Sequence, residues 1–108
     1  MVKLPRAFQT FQRRHPKLFQ AYEALGGVAH ESGPLDAKTR ELVKLGMAIG
    51  GRLEGAVRSH AHRALEAGAT PKEIEHVVLL AVTTSGFPTA VAAFTWIEEI
   101  VSRHWRKR

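Results

Sequence analysis

Thr70-Pro71-Lys72-Glu73 marks a helix start more firmly than any other segment of this chain. The Thr70 hydroxyl can accept a backbone N–H, and Pro71 suits the first helical position, where no N–H is needed. Glu73, three residues after the cap, can close a capping box. The run behind it, Val77-Val78-Leu79-Leu80-Ala81-Val82, is apolar nearly all round. Its periodicity alone also allows a buried strand over 77–83, but the capping signal favours a helix from Pro71 to about Thr84. A helix with no polar side needs cover from other helices, of its own chain or of a neighbour. One segment therefore asks for a helical bundle.

The other segments agree. Phe8, Phe11 and Leu4 suggest a short first helix that stops before Pro16, because the residue ahead of a proline avoids the helical region. Pro16 opens a second helix carrying Leu18, Phe19, Tyr22 and Leu25 into Gly26-Gly27, where its end is not defined. Ser32-Gly33-Pro34 breaks the chain. A third helix runs from about Asp36, its N-cap, to Ile49, with Leu42, Leu45, Ala48 and Ile49 inward and Gly50-Gly51 at its end. A fourth covers about Leu53 to Ala67, with Gly68 as its left-handed terminator. After Ser85-Gly86-Phe87-Pro88 a last helix extends from about Pro88 beyond Val101. Its Ala90-Val91-Ala92-Ala93 stretch permits close helix contacts. The expected architecture is all-α, five or six helices in one domain spanning residues 1–108, without repeat or linker.

Charge distribution narrows the partners. The net charge is +6, yet residues 34–101 carry seven basic and eight acidic groups. The excess belongs to the ends: residues 1–33 hold five basic and two acidic groups, and the last seven hold four basic and none. His104-Trp105-Arg106-Lys107-Arg108 has the charge and ring to touch a nucleic acid but is too short to be a module, so nucleic acid is not the expected partner. No run approaches the ~18 apolar residues of a membrane span, and the first residues lack a signal-peptide pattern, so a soluble cytoplasmic protein is expected. The sequence contains no cysteine, which removes thiol, disulfide and iron–sulfur mechanisms together.

Histidine and glutamate remain as candidates. His60 shares its side of the fourth helix with Ala56, Val57, Ala61 and Ala64, so its ring points at other helices. It is either an acid–base group in a small-molecule pocket or a hydrogen-bonded core or interface histidine. Glu41 lies four residues before Leu45 and seven before Ala48, at the border of an apolar stripe. If Gly50-Gly51 lets the two helices fold back, Glu41 and His60 can meet. Arg58 stands about 200° from His60 around the helix, so it reaches a neighbouring surface, an adjacent subunit or Glu54 rather than the same centre line. As a carboxylate clamp it competes with that pairing. His62 and His76 sit on wetter faces. Only His60 and His62 are close in sequence, and two apart on a helix they diverge, so no metal or other cofactor is expected.

The order Asp36-Ala37-Lys38-Thr39-Arg40-Glu41-Leu42, His60, Glu66-Ala67-Gly68-Ala69-Thr70-Pro71-Lys72-Glu73-Ile74 and Ser85-Gly86-Phe87-Pro88-Thr89-Ala90-Val91-Ala92-Ala93-Phe94 resembles the carboxymuconolactone decarboxylase and alkylhydroperoxidase D-like superfamily. The resemblance covers about residues 16–101. It implies a compact all-helical subunit assembling as trimers or hexamers, with pockets near subunit contacts. In the peroxidase-like branch a glutamate precedes a Cys-x-x-Cys-x-x-x-His motif. Here those positions are Glu41, Leu53, Ala56 and His60, so the thiol chemistry is absent. The decarboxylase branch resembles this chain at Arg58-x-His60, Gly86-x-Pro88 and Ala92-Ala93-Phe94. The chain departs from it by one extra residue between Gly51 and His60, and by Thr95 where another histidine tends to stand. The resemblance implies a cysteine-independent lyase acting on a small carboxylated lactone or unsaturated acid, with His60 and Glu41 catalytic and Arg58 binding substrate. A non-catalytic oligomeric ligand-binding or structural member is the alternative.

Overall fold

The computed structural model describes the backbone of residues 6–106 and the side chains of residues 6–102. Leu4 and the side chains of the basic cluster 104–108 lie outside the described residues. Six helices follow one another: α1 (Arg6–Arg14), α2 (Pro16–Glu31), α3 (Ala37–Gly50), α4 (Glu54–Glu66), α5 (Pro71–Ala81) and α6 (Phe87–Arg106). There is no strand among the described residues. The chain divides into two compact units, Met1–Asp36 and Ala37–Arg108.

In the first unit, α1 ends ahead of Pro16 and α2 begins on it. Phe8 stands edge-on to Phe19, the buried residue of α2, with ring centroids 5.4 Å apart. The α2 backbone passes through Gly26-Gly27 without a break and stops at Glu31. Glycine costs a helix interior about 1 kcal/mol relative to alanine but does not by itself end one.

The second unit holds the main core. Leu45 and Ile49 of α3, Val57 of α4, Ile74 and Val78 of α5 and Ile97 of α6 are fully buried. Each stabilises the fold by roughly 1.5–3 kcal/mol relative to an exposed position. Alanines 61 and 64 on α4, and 90 and 93 on α6, are buried between them and keep the helices close. α3 packs along α4, α5 along α6, and α3 and α4 also touch the second pair.

The helix ends explain the turns. Thr70 Oγ1 accepts the Glu73 N–H at 3.1 Å, and the Thr70 N–H donates to Glu73 Oε1 at 2.9 Å, completing the expected capping box. Gly68 takes φ +103° after α4, where Ala69 N–H bonds the Ala64 carbonyl. After α3 the left-handed residue is Arg52 at φ +55°, not a glycine of the Gly50-Gly51 pair. The Leu53 N–H reaches the Ala48 carbonyl and the Arg52 N–H that of Ile49, a Schellman arrangement that reverses the chain into α4. α5 ends at Ala81, three residues short of the expected Thr84. The Ser85 and Gly86 N–H groups both return to the Ala81 carbonyl, and Gly86 adopts φ +105°.

Candidate active site

The reversal at Gly50–Leu53 brings α4 back along α3, and with it His60 to Glu41. His60 Nδ1 and Glu41 Oε1 are 2.8 Å apart, and the two side chains are only 22% and 10% exposed. An ionised carboxylate only accepts, so Nδ1 carries the hydrogen and donates it. With Nδ1 committed to Glu41, Nε2 is the ring nitrogen left to exchange a proton with a bound molecule.

Helical spacing fixes this pair. Glu41 is in phase with Leu45, Ala48 and Ile49, and is buried with them. His60 follows Val57 by three residues and precedes Ala64 by four, both of them fully buried. Both side chains therefore start from the inward-facing sides of their helices. The hydrogen bond at Nδ1 orients the ring, which acid–base work requires.

Arg58 is placed elsewhere. Its Nε and Nη2 donate to Glu54 Oε2 at 3.1 and 2.8 Å, and its Nη1 donates to the Trp96 carbonyl at 3.1 Å. The guanidinium thus links α4 to α6 from the exposed side, and no described contact joins it to Glu41 or His60. The surface pairing with Glu54 that the sequence allowed is the one formed. Thr95, where a second histidine is absent, turns its hydroxyl to the Val91 carbonyl at 3.0 Å and is exposed.

The structure adds one ion pair that sequence reasoning missed. Lys38 Nζ lies 3.0 Å from Glu73 Oε2, tying the start of α3 to the cap of α5. The Glu73 carboxyl titrates below its ordinary range, mainly through the Thr70 N–H and then through the Lys38 ammonium. Thirty-five residues separate the two, and the local capping signal of Glu73 accounted for its carboxylate without a second partner. Among the described residues no three His, Cys, Asp or Glu side chains converge as a metal site. A shallow hollow on α1, bordered by Arg6, Thr10, Phe11, Arg14 and His15, shares no residue with the Glu41–His60 pair.

An all-helical unit with a part-buried carboxylate–imidazole pair bridging α3 and α4 is the class that fold and site define. The chain belongs to the carboxymuconolactone decarboxylase family, whose sequence model matches residues 16–99. A carboxymuconolactone decarboxylase family protein from Legionella pneumophila, solved in its apo form, superimposes with a TM-score of 0.70 at 26% identity, over 88% of each chain. An uncharacterized protein of Haemophilus influenzae is 44% identical over 59 residues, which are 55% of this chain and 52% of that protein. The chain thus spans about half the length of this curated relative. No helix among the described residues is long and apolar enough to cross a membrane.

Proposed function

We propose that the protein is a cysteine-independent lyase that decarboxylates a small carboxylated lactone or unsaturated acid. The part-buried Glu41–His60 hydrogen bond is the observation that carries this proposal. In the reaction the bond from carbon to the carboxylate breaks and carbon dioxide leaves. The electron pair stays on the substrate carbon, delocalised into the adjoining unsaturated carbonyl. Protonated His60 then delivers the Nε2 proton to that carbon, Glu41 holds the ring by Nδ1, and solvent restores the proton. No external electron acceptor enters the balance. If Arg58 binds the substrate carboxylate, it does so by exchanging its bond to Glu54 or to the Trp96 carbonyl. Identical subunits assembling as trimers or hexamers in the cytoplasm form part of the same proposal, supported by family membership.

The engaged state of Arg58 favours a second reading, in which the subunit is a non-catalytic oligomeric ligand-binding or structural member of the family. Carbon-dioxide release from carboxymuconolactone, compared between wild type and His60→Ala, separates the two. For the lyase, wild type turns over and the variant loses on the order of 100-fold or more while remaining folded. Absence of release by a folded wild type, or equal release by the variant, removes His60 from this chemistry.

A further inference from the structure

The seam between α3 and α4 has two flanks, and the rest of the core takes one of them. There Lys38 of α3 bonds Glu73 of α5, Gly46 of α3 lies against Val77 of α5, and Arg58 of α4 bonds the Trp96 carbonyl of α6. A helix turns about 100° per residue, so His60 stands roughly 60–70° from the centre of the buried Val57, Ala61 and Ala64, toward the other flank. Arg63, three residues on, lies about 60° further round the same way and one turn along. On α3, Lys44 stands three residues beyond Glu41 and again about 60° further toward that flank, and Arg40 adjoins Glu41 there. Arg40, Lys44 and Arg63 are half-buried, whereas Arg58 is exposed. Arg40 and Lys44 are engaged by other contacts, but the Arg63 guanidinium has no ion pair or hydrogen bond to a described residue. Glu66, the next acid along α4, is exposed and lies on the side of Arg63 away from His60.

We propose that Arg63, and not Arg58, receives a carboxylate of the molecule on which His60 acts, on the flank of the seam turned away from α5 and α6. The proposal rests on the lyase reading above and names the binding residue of that same site. A carboxylated substrate brought to His60 also approaches the Glu41 carboxylate, and like charges repel. Arg40, Lys44 and Arg63 set three cations around that one acid and offset the repulsion. Of the three, Arg63 is the cation with no described bond to break. Its planar guanidinium can give two parallel N–H bonds to one carboxylate. Arg58, about 200° round α4 from His60, would have to leave both Glu54 and the Trp96 carbonyl. Cβ atoms one helical turn apart are separated by about 5–6 Å, so a substrate can lie on Arg63 and still present a carbon to His60 Nε2. The carboxylate held is one the substrate keeps. Gripping the one that leaves would stabilise the ground state against the reaction.

The test uses the full chain and two readouts. One is binding of maleate, an unsaturated dicarboxylate, followed by the NMR signals of the His60 ring, which are assigned by their loss in His60→Ala. The other is KM and kcat for carbon-dioxide release from carboxymuconolactone. Wild type is compared with Arg63→Met, Arg63→Lys and Arg58→Met, and with Lys17→Met on α2 as a control for loss of charge alone. Circular dichroism reports the fold of each. Maleate is expected to shift the His60 signals, and Arg63→Met to raise both the maleate Kd and KM by about 10-fold or more. A retained carboxylate is held equally before and during the reaction, so kcat should change far less than KM. Arg63→Lys should recover part of the loss, and Lys17→Met should show none. An Arg63→Met variant that binds and turns over like wild type, or a loss that falls on Arg58→Met instead, overturns the proposal while leaving the lyase standing. Maleate binding that depends on Arg63 without any carbon-dioxide release supports the binding residue and overturns the lyase. If turnover occurs without maleate binding, the KM comparison decides. A folded wild type that shows neither overturns both.

Discussion

Glu41 is a buried carboxylate whose described side-chain partner is one imidazole nitrogen, and that makes the pair asymmetric in stability. His60→Ala leaves Glu41 buried without its donor, at an expected cost of about 1–3 kcal/mol. Replacing both residues, Glu41→Leu with His60→Leu, removes the need as well as the partner and should cost less than His60→Ala alone. Urea unfolding of wild type, both single variants and the double variant gives the coupling energy; additive effects would mean the 2.8 Å contact contributes nothing. Both residues of the pair were readable from sequence, because phase with Leu45 on one helix and Val57 on the next points each side chain inward. The occupied state of Arg58 was readable only in half. Its bond to Glu54 is a four-residue helical neighbour relation, whereas its bond to the Trp96 carbonyl depends on how α6 lies against α4.

Elements whose ends are set by local chemistry were the most legible. α5 begins where Thr70, Pro71 and Glu73 place it, and its capping box is made of groups within four residues of one another. Thr70→Ala should therefore destabilise the fold by about 1 kcal/mol. Glu73 adds a dependence on pH whose sign follows from its lowered titration. The carboxylate's contribution is complete above the ordinary carboxyl range and is lost as pH falls through the lowered value in the folded protein. Glu73→Gln should accordingly lower the urea midpoint at neutral pH, while the gap to wild type narrows as pH falls below the ordinary carboxyl range. A gap independent of pH would contradict the charge role of Glu73. The turn after α3 was less legible for a physical reason. Gly50-Gly51 advertises a left-handed residue, but the hydrogen-bond register puts that conformation on Arg52, at a cost of roughly 1–2 kcal/mol for a side-chain-bearing residue. Arg52 Nη1 donates to Thr89 Oγ1 at 2.7 Å, anchoring the strained turn to the first turn of α6. A partner thirty-seven residues away leaves no mark on the local sequence.

At the scale of the molecule, the uneven distribution of core decides which part can stand alone. Every member of the buried apolar cluster lies between Leu45 and Val101, so the unit Ala37–Arg108 carries its own interior. Phe19 is the buried residue of α2, and α1 has none. Apolar periodicity on α2, from Leu18 to Leu25, gave no sign of this difference, because a stripe looks the same in sequence whether or not anything lies on it. Below about 40 residues a chain seldom buries enough surface to offset its conformational entropy. A chain beginning at Ala37 should therefore remain helical and unfold cooperatively, with Glu41 and His60 still paired, while residues 1–36 alone should show little helix. Circular dichroism with thermal and urea melts distinguishes these outcomes. Cooperative folding of the short piece, or collapse of the long one, would mean that the core of residues 45–101 is not what holds the fold. The candidate site rests on the same distribution: both of its residues sit on α3 and α4, inside the unit that owns the core, so the geometry at His60 should survive removal of the first two helices.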